Sequence, residues 1–201
     1  MPGTVDLYYT CASPWTYLGW QRFAAIAKQA GATVNHFAVD FGKIFPVSGG
    51  LPLPQRAPQR QAYRLSELKR WRDFLGIPLT IQPKFFPVND GLAGHMAIAA
   101  RRRGLDVSGL SFGFLRAVWV EERNIADPDT LVAIAKAQGM DGAALLADAG
   151  SEAVKAERER DNQAAIALQV FGAPTFVIDG ELFWGQDRLD FVARKLGVSV
   201  N

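Results

Sequence analysis

Between residues 5 and 39 the hydrophobic pattern changes period twice, and this change limits the folds open to the chain more than any other feature. Residues 5–9 form a short β-rich run. Residues 14–30 then place Trp15, Leu18, Gly19, Phe23, Ile26, Ala27 and Ala30 within about half of a helical wheel, which predicts a helix with one buried face. Gly31 supplies a stop, and residues 33–39 return as a second β-rich run. A strand, a helix and a strand in so short a span form a crossover, which pairs the two strands in parallel with the helix packed on their sheet. The chain therefore opens as an α/β fold.

The remainder has a different rhythm. Residues 45–58 are rich in Gly, Pro, Ser, Gln and Arg and read as a long irregular connection. Helical patterns follow over 59–75, 92–103, 108–122, 128–138, 141–148 and 152 to about 170, separated by Gly76, Pro78, Gly104 and Gly139. No strand interrupts them. β character returns at 175–178 and 181–184, joined by Asp179-Gly180, the strongest short signal for a hairpin. A last helix is predicted over roughly 188–196. The order implies an α/β domain made from 1–54 and 166–201, with an all-helical domain, 55–165, inserted into it.

Composition narrows the function. The chain has 201 residues, 49% of them hydrophobic, enough for one good core. Its 22 basic and 20 acidic residues leave a net charge of +2, so no single-sign field points to nucleic acid or an anionic membrane. The first residues carry neither a charged leader nor a long apolar stretch, and a cytoplasmic protein without a spanning helix is expected. Cys11 is the sole cysteine, which excludes an intrachain disulfide, a two-cysteine redox cycle and a zinc site built from cysteine pairs. His36 and His95 have no partners at metal-ligand spacing, so no metal is expected. Cys11 reads as a small buried thiol, while Arg101-Arg102-Arg103, Glu121 and Glu122 read as solvated helix faces.

Three segments carry possible chemistry. Ser13-Pro14-Trp15-Thr16 stands where the first strand meets the first helix, with serine suited to the cap and proline to the first helical position. A cap with no further role accounts for it locally. The same place also stabilises a thiolate, because unpaired N–H groups and the positive end of the helix dipole face it. A hydroxyl there can donate to the sulfur of a bound thiol, and bonds to an ionised acceptor are roughly twice as strong as neutral ones. Phe171-Gly172-Ala173-Pro174-Thr175 precedes the hairpin; a trans bond before Pro174 is the common case, whereas a cis bond would turn the Ala173 backbone outward to pair with an extended peptide. Gly185-Gln186-Asp187-Arg188 opens the last helix, either as an ordinary start or as a receptor for the amino-acid end of a γ-glutamyl group.

Taken together, these segments resemble the DsbA-like branch of the thioredoxin superfamily, and within it the kappa class glutathione transferases and 2-hydroxychromene-2-carboxylate isomerases. The resemblance spans nearly the whole chain. Ser13-Pro14-Trp15-Thr16 falls where redox members have Cys-Pro-His-Cys, and the loss of both cysteines excludes a disulfide oxidase. Leu68 to Pro78 and Ala117-Val118-Trp119 match helices of the inserted domain. The resemblance implies a thioredoxin-like α/β fold with a large helical insertion, glutathione as cofactor, and a homodimer. It implies Ser13 as the catalytic group beside the glutathione sulfur, with Ala173 and Pro174 against the cysteinyl part, Gln186 and Asp187 at the γ-glutamyl end, and Arg60 near the glycine carboxylate.

For the isomerases the resemblance implies interconversion of 2-hydroxychromene-2-carboxylate and trans-o-hydroxybenzylidenepyruvate in aromatic degradation. Trp15, Tyr17, Phe85 and Phe86 are candidates for the wall holding the small aromatic substrate, although aromatics at such spacing also serve as plain core. Two other functions fit the same motifs. One is a kappa-type transferase that conjugates glutathione to electrophiles, and the other is a non-catalytic thiol or peptide binder on a thioredoxin scaffold.

Overall fold

The computed structural model describes residues 3–199. Met1, Pro2, Val200 and Asn201, the outermost residues of the expected domain division, lie outside the described residues. Strand β1 (Thr4–Tyr9) leads through residues 10–13 into helix α1 (Pro14–Ala30), and β2 (Thr33–Ala38) follows. Gly31 ends α1 in the left-handed conformation at φ 61°, its N–H directed to the carbonyls of Ala27 and Lys28. β1 and β2 pair in parallel from Thr4 opposite Thr33 to Tyr9 opposite Ala38, as the opening crossover requires.

The chain then forms α2 (Phe41–Ser48), a 3-10 turn (Leu53–Gln55), and helices α3 (Pro58–Leu75), α4 (Gly91–Arg102), α5 (Val107–Trp119), α6 (Pro128–Ala137), α7 (Gly142–Ala149) and α8 (Glu152–Ala167). Side-chain oxygens of Asp106, Asp127, Asp141 and Ser151 cap α5 to α8. Strands β3 (Thr175–Ile178) and β4 (Glu181–Trp184) form the hairpin around Asp179 and Gly180, and α9 (Leu189–Lys195) closes the fold. The sheet order is β2-β1-β3-β4, with β3 antiparallel to β1. This is the α/β architecture that the resemblance implies, with the helical block between its two halves.

Three boundaries differ from the sequence reading. The segment expected to be irregular from residue 45 begins inside α2, because Asp40 caps that helix through Gly42 N–H and Phe41 and Ile44 are buried. The helix expected to reach Glu122 stops at Trp119, and Glu122 adopts φ 51°. The helix expected to reach about residue 170 stops at Ala167, with Gln169 at φ 61°.

Alternation along β1 divides the interior. Val5, Leu7 and Tyr9 face the main core, which continues without a break into Leu68, Phe114 and Trp119 of the inserted helices. Tyr8 faces a smaller cluster with Val39, Ile44, Ala165 and Val177. The sheet is thus covered on both faces. Arg101 is no solvated cation: its guanidinium donates to the His36 carbonyl at 2.7 Å, to Glu157 at 2.7 Å and to Asp161 at 2.6 Å, tying α4 and α8 to β2. Glu121 and Glu122 are also engaged, the first with Arg116 at 3.1 Å and the second as acceptor of the Lys84 N–H at 3.0 Å.

His36 lies on the core side of β2, its ring perpendicular to Tyr9 at 6.3 Å and 5.7 Å from Trp20. Burial lowers its pKa to about 4, with Arg101 acting in the same direction and Asp106 against it. A folded-state pKa below the ordinary value of 6.5 stabilises the fold above that value and loses this contribution as pH falls towards 4. The effect amounts to at most about 3 kcal/mol. Chemical denaturation between pH 7.5 and 4 should show stability declining with acid, and His36→Gln should flatten the decline across that window.

Candidate functional site

Ser13 has φ −77° and ψ 125°, and its Oγ accepts the Thr16 N–H at 3.2 Å, capping α1. Its carbonyl accepts the Tyr17 N–H at 3.1 Å. The hydroxyl therefore serves the helix as an acceptor, and its own hydrogen has no acceptor among the described residues. Pro14 contributes no N–H, and the Trp15 N–H is also unpaired there. Two donors, one hydroxyl and one amide, are left at the positive end of a helix.

Ser13 opens onto a cavity of about 680 Å³, within the usual range for small-molecule sites. α1 supplies Ser13, Pro14 and Trp15; α2 and its following loop supply Phe41, Phe45 and residues 48–51; α3 and its approach supply Arg56, Arg60 and Arg64; the loop before β3 supplies Phe171, Gly172 and Ala173. Phe86 and Trp184 complete the aromatic part of the wall. No carboxylate lines this cavity among the described residues, whereas three guanidinium groups do. Burial and then Arg60 lower the pKa of Arg56; burial and then Arg56 lower that of Arg64 to about 10. Arg64 stays charged near neutral pH.

The Ala173–Pro174 peptide bond is cis. The N–H and C=O of Ala173 have no hydrogen-bond partner among the described residues, and both belong to a residue lining the cavity. Pro174 itself is off this wall and borders a separate small gap together with Thr16 and Gly19 of α1. Its carbonyl accepts the Gly185 N–H at 2.9 Å, which fixes this loop to the end of the hairpin.

The structure thus gathers Ser13, Trp15, Arg60, Phe86 and Ala173 on one cavity and leaves the other candidates off its wall. Tyr17 is buried, stacked on Phe112 at 6.0 Å, and its hydroxyl donates to the Pro78 carbonyl at 2.8 Å, so it joins α1 to the helical block. Phe85 turns towards Lys84, whose Nζ is 5.1 Å from the ring centre, while its neighbour Phe86 packs on Trp119. Gln186 is 2% exposed, and its amide oxygen accepts from Arg22 at 3.0 Å, away from the cavity. That turn sits tightly on Gly19, where a Cβ would approach Gln186 Cβ to 2.7 Å. The Asp187 carboxylate is partly exposed and paired with Arg188 at 2.8 Å. The N–H groups of Gln186 and Asp187 have no partner among the described residues, so the turn offers backbone donors in place of the Gln186 side chain.

Arg56 and Arg64 escaped the sequence reading; Arg64 stands four residues after Arg60 on α3, a spacing that marks one helix face, whereas Arg56 precedes that helix. Cys11 is fully buried, and desolvation followed by Asp90 raises its pKa well above the usual thiol range, which makes it inert as a nucleophile.

A family model described as DSBA-like thioredoxin domain matches residues 4–197. The chain is 30% identical over 198 residues to 2-hydroxychromene-2-carboxylate isomerase of Pseudomonas putida, covering 96% of this chain and 94% of that protein. It is 26% identical over 212 residues to glutathione S-transferase kappa 1 of Homo sapiens, covering 98% and 92%. A solved structure of a 2-hydroxychromene-2-carboxylate isomerase superposes with TM-score 0.84 at 26% identity, covering 96% of this chain and 94% of that one.

Ser13→Ala removes the cap oxygen without touching the core, and it should lower stability by about 1 kcal/mol, or about 2–4 °C in melting temperature. Thermal unfolding of both proteins measures it. A loss several times larger would mean that Ser13 holds more of the structure than its cap.

Proposed function

This chain belongs to the DSBA-like thioredoxin domain family, among its 2-hydroxychromene-2-carboxylate isomerases and kappa class glutathione transferases, and we propose that it is a glutathione-dependent isomerase. The proposed reaction interconverts 2-hydroxychromene-2-carboxylate, the compound in the name of the Pseudomonas putida relative, and trans-o-hydroxybenzylidenepyruvate. The observation that carries the reading is a serine hydroxyl with an unused hydrogen at the start of α1, in a cavity beside an unpaired length of backbone.

The residues present suit the tripeptide. Ala173 offers an N–H and a C=O to an extended chain, Arg60 offers a cation to the glycine carboxylate, and the turn at Gln186 and Asp187 offers N–H groups and a carboxylate to the α-carboxylate and ammonium of the γ-glutamyl end. When bound, glutathione supplies a nucleophilic sulfur, whose reversible addition to a conjugated double bond lets that bond rotate. Ser13 donates its hydrogen bond to the sulfur, and the Trp15 N–H with the α1 dipole favours the ionised form. Trp15 and Phe86 provide apolar surface for the aromatic ring. Holding the sulfur and the acceptor in one cavity replaces random encounter by a set geometry.

The rest of the proposal follows from this role. The proposed division is a thioredoxin-like part, 1–54 and 166–201, that holds the tripeptide, and an inserted part, 55–165, that contributes Arg60 and Phe86 to the cavity. We place the protein in the cytoplasm as a homodimer, consistent with a chemistry that requires a reduced thiol.

Calorimetry should detect glutathione binding at concentrations up to millimolar, and the bound thiol should ionise below its free pKa. With 2-hydroxychromene-2-carboxylate and catalytic glutathione, the trans product should accumulate without glutathione being consumed. Ser13→Ala should reduce turnover by roughly 10- to 100-fold, the worth of a hydrogen bond to a charged group. Stoichiometric conjugate would point instead to the transferase, and a Ser13→Ala protein with full turnover would remove Ser13 from the mechanism.

A further inference from the structure

Arg64 lines the cavity, yet the tripeptide site described above gives it no task. Its Nη2 is buried and has no hydrogen-bond partner among the described residues. A buried guanidinium N–H without an acceptor is destabilising, and a ligand anion relieves that deficit when it binds. The group is also held in place. Its Cζ lies 5.0 Å from the centre of the Phe86 ring and 5.8 Å from that of Trp119, so two aromatic faces support one cation.

The position of this platform matters as much as its charge. Trp119 Nε1 donates to the Ala12 carbonyl at 3.2 Å, which fastens the aromatic support of Arg64 to the residue preceding Ser13. Arg64 therefore belongs to the Ser13 end of the cavity. Arg56 differs, since its Nε is occupied by the Leu51 carbonyl at 2.8 Å. A planar fork of donors next to flat aromatic surface suits a conjugated aryl acid, whose carboxylate takes two N–H bonds while its plane rests on a ring.

We propose that Arg64 is a specificity-determining residue that binds the carboxylate of the acceptor, so that the cavity selects arylidene keto acids over the corresponding neutral enones. This assignment deepens the isomerase reading and rests on it for the identity of the acceptor. Arg60 and Arg64 then serve different anions, one on the tripeptide and one on the substrate.

The test uses two probes with the same enone, benzylidenepyruvate and benzylideneacetone, the second having a methyl group in place of the carboxylate. Equilibrium binding to the full chain is measured with S-methylglutathione present, which cannot add to either probe. The wild type should bind the acid at least about 10-fold more tightly than the ketone, and Arg64→Gln should abolish that preference. Arg64→Lys should regain part of it, while glutathione affinity stays within about two-fold in both variants. In turnover of 2-hydroxychromene-2-carboxylate with glutathione, Arg64→Gln should raise KM far more than it lowers kcat.

An unchanged preference in Arg64→Gln, or no preference in the wild type, would overturn the proposal. So would an Arg64→Gln protein that loses glutathione affinity about 10-fold while still favouring the acid, because Arg64 would then belong to the tripeptide. If Arg64→Gln fails to fold, Arg64→Lys and the wild-type comparison of the two probes decide. A wild type that binds the acid preferentially but does not isomerise 2-hydroxychromene-2-carboxylate would sink the isomerase reading and leave the carboxylate site standing.

Discussion

One hydrogen bond, from Trp119 Nε1 to the Ala12 carbonyl, joins the two halves of this molecule at the place where its chemistry is set. Trp119 ends α5 in the middle of the helical block, and Ala12 ends the loop from β1 into α1. The indole is fully buried, so its donor requires a partner, and the Ala12 carbonyl provides one. That bond holds the strand-to-helix junction against the inserted helices and fixes where Ser13 faces. Phe86 packs on the same indole at 4.7 Å and Arg64 lies above both rings. Three parts of the cavity wall thus share one anchor.

The charge distribution around that anchor is unbalanced. Arginines at 56, 60 and 64 face the cavity without a carboxylate on its wall, whereas Arg101 is matched by Glu157 and Asp161. Such an arrangement raises the free energy of the empty protein and lowers it again when anions enter. In the proposed function the anions come with the ligands: two carboxylates on the tripeptide and one on the acceptor. Fold stability and ligand selection therefore pull in opposite directions along α3, whose exposed Tyr63 and Phe74 show how little of this helix is committed to the core.

The readable parts of the sequence are those whose structure is decided by neighbours in the chain. The opening crossover, the capped helices and the Asp179-Gly180 hairpin all depend on short-range period and turn chemistry, and all appear where the pattern places them. α2 was hidden because its Gly, Pro and Ser content masks a helix held by an Asp40 cap and by burial of Phe41 and Ile44, which only tertiary contacts reveal. The same limit applies at the site. Serine at the start of α1 can be selected by type and position, and Arg60 through the family resemblance, but that the Gln186 side chain pairs with Arg22 and leaves only backbone N–H groups at its turn depends on a contact more than 160 residues away in the chain. Phe85 and Phe86 are adjacent and of one type, so only packing on Trp119 tells them apart.

A helix start that stabilises a thiolate is useful to a protein only if a thiol reaches it. Cys11 does not, since it is sealed in the core and its ionisation is suppressed by burial and by Asp90. Cys11 also precedes the helix start, whose N–H groups would favour the anion. Serine in the capping position changes the role of the place from supplying sulfur to receiving it, because a hydroxyl both caps the helix and keeps one hydrogen to donate. In the proposed reaction the nucleophile then arrives with its own peptide backbone, which Ala173 is free to pair, and leaves the protein unmodified after each turnover. The protein contributes position and electrostatics, and its own side chains undergo no covalent change.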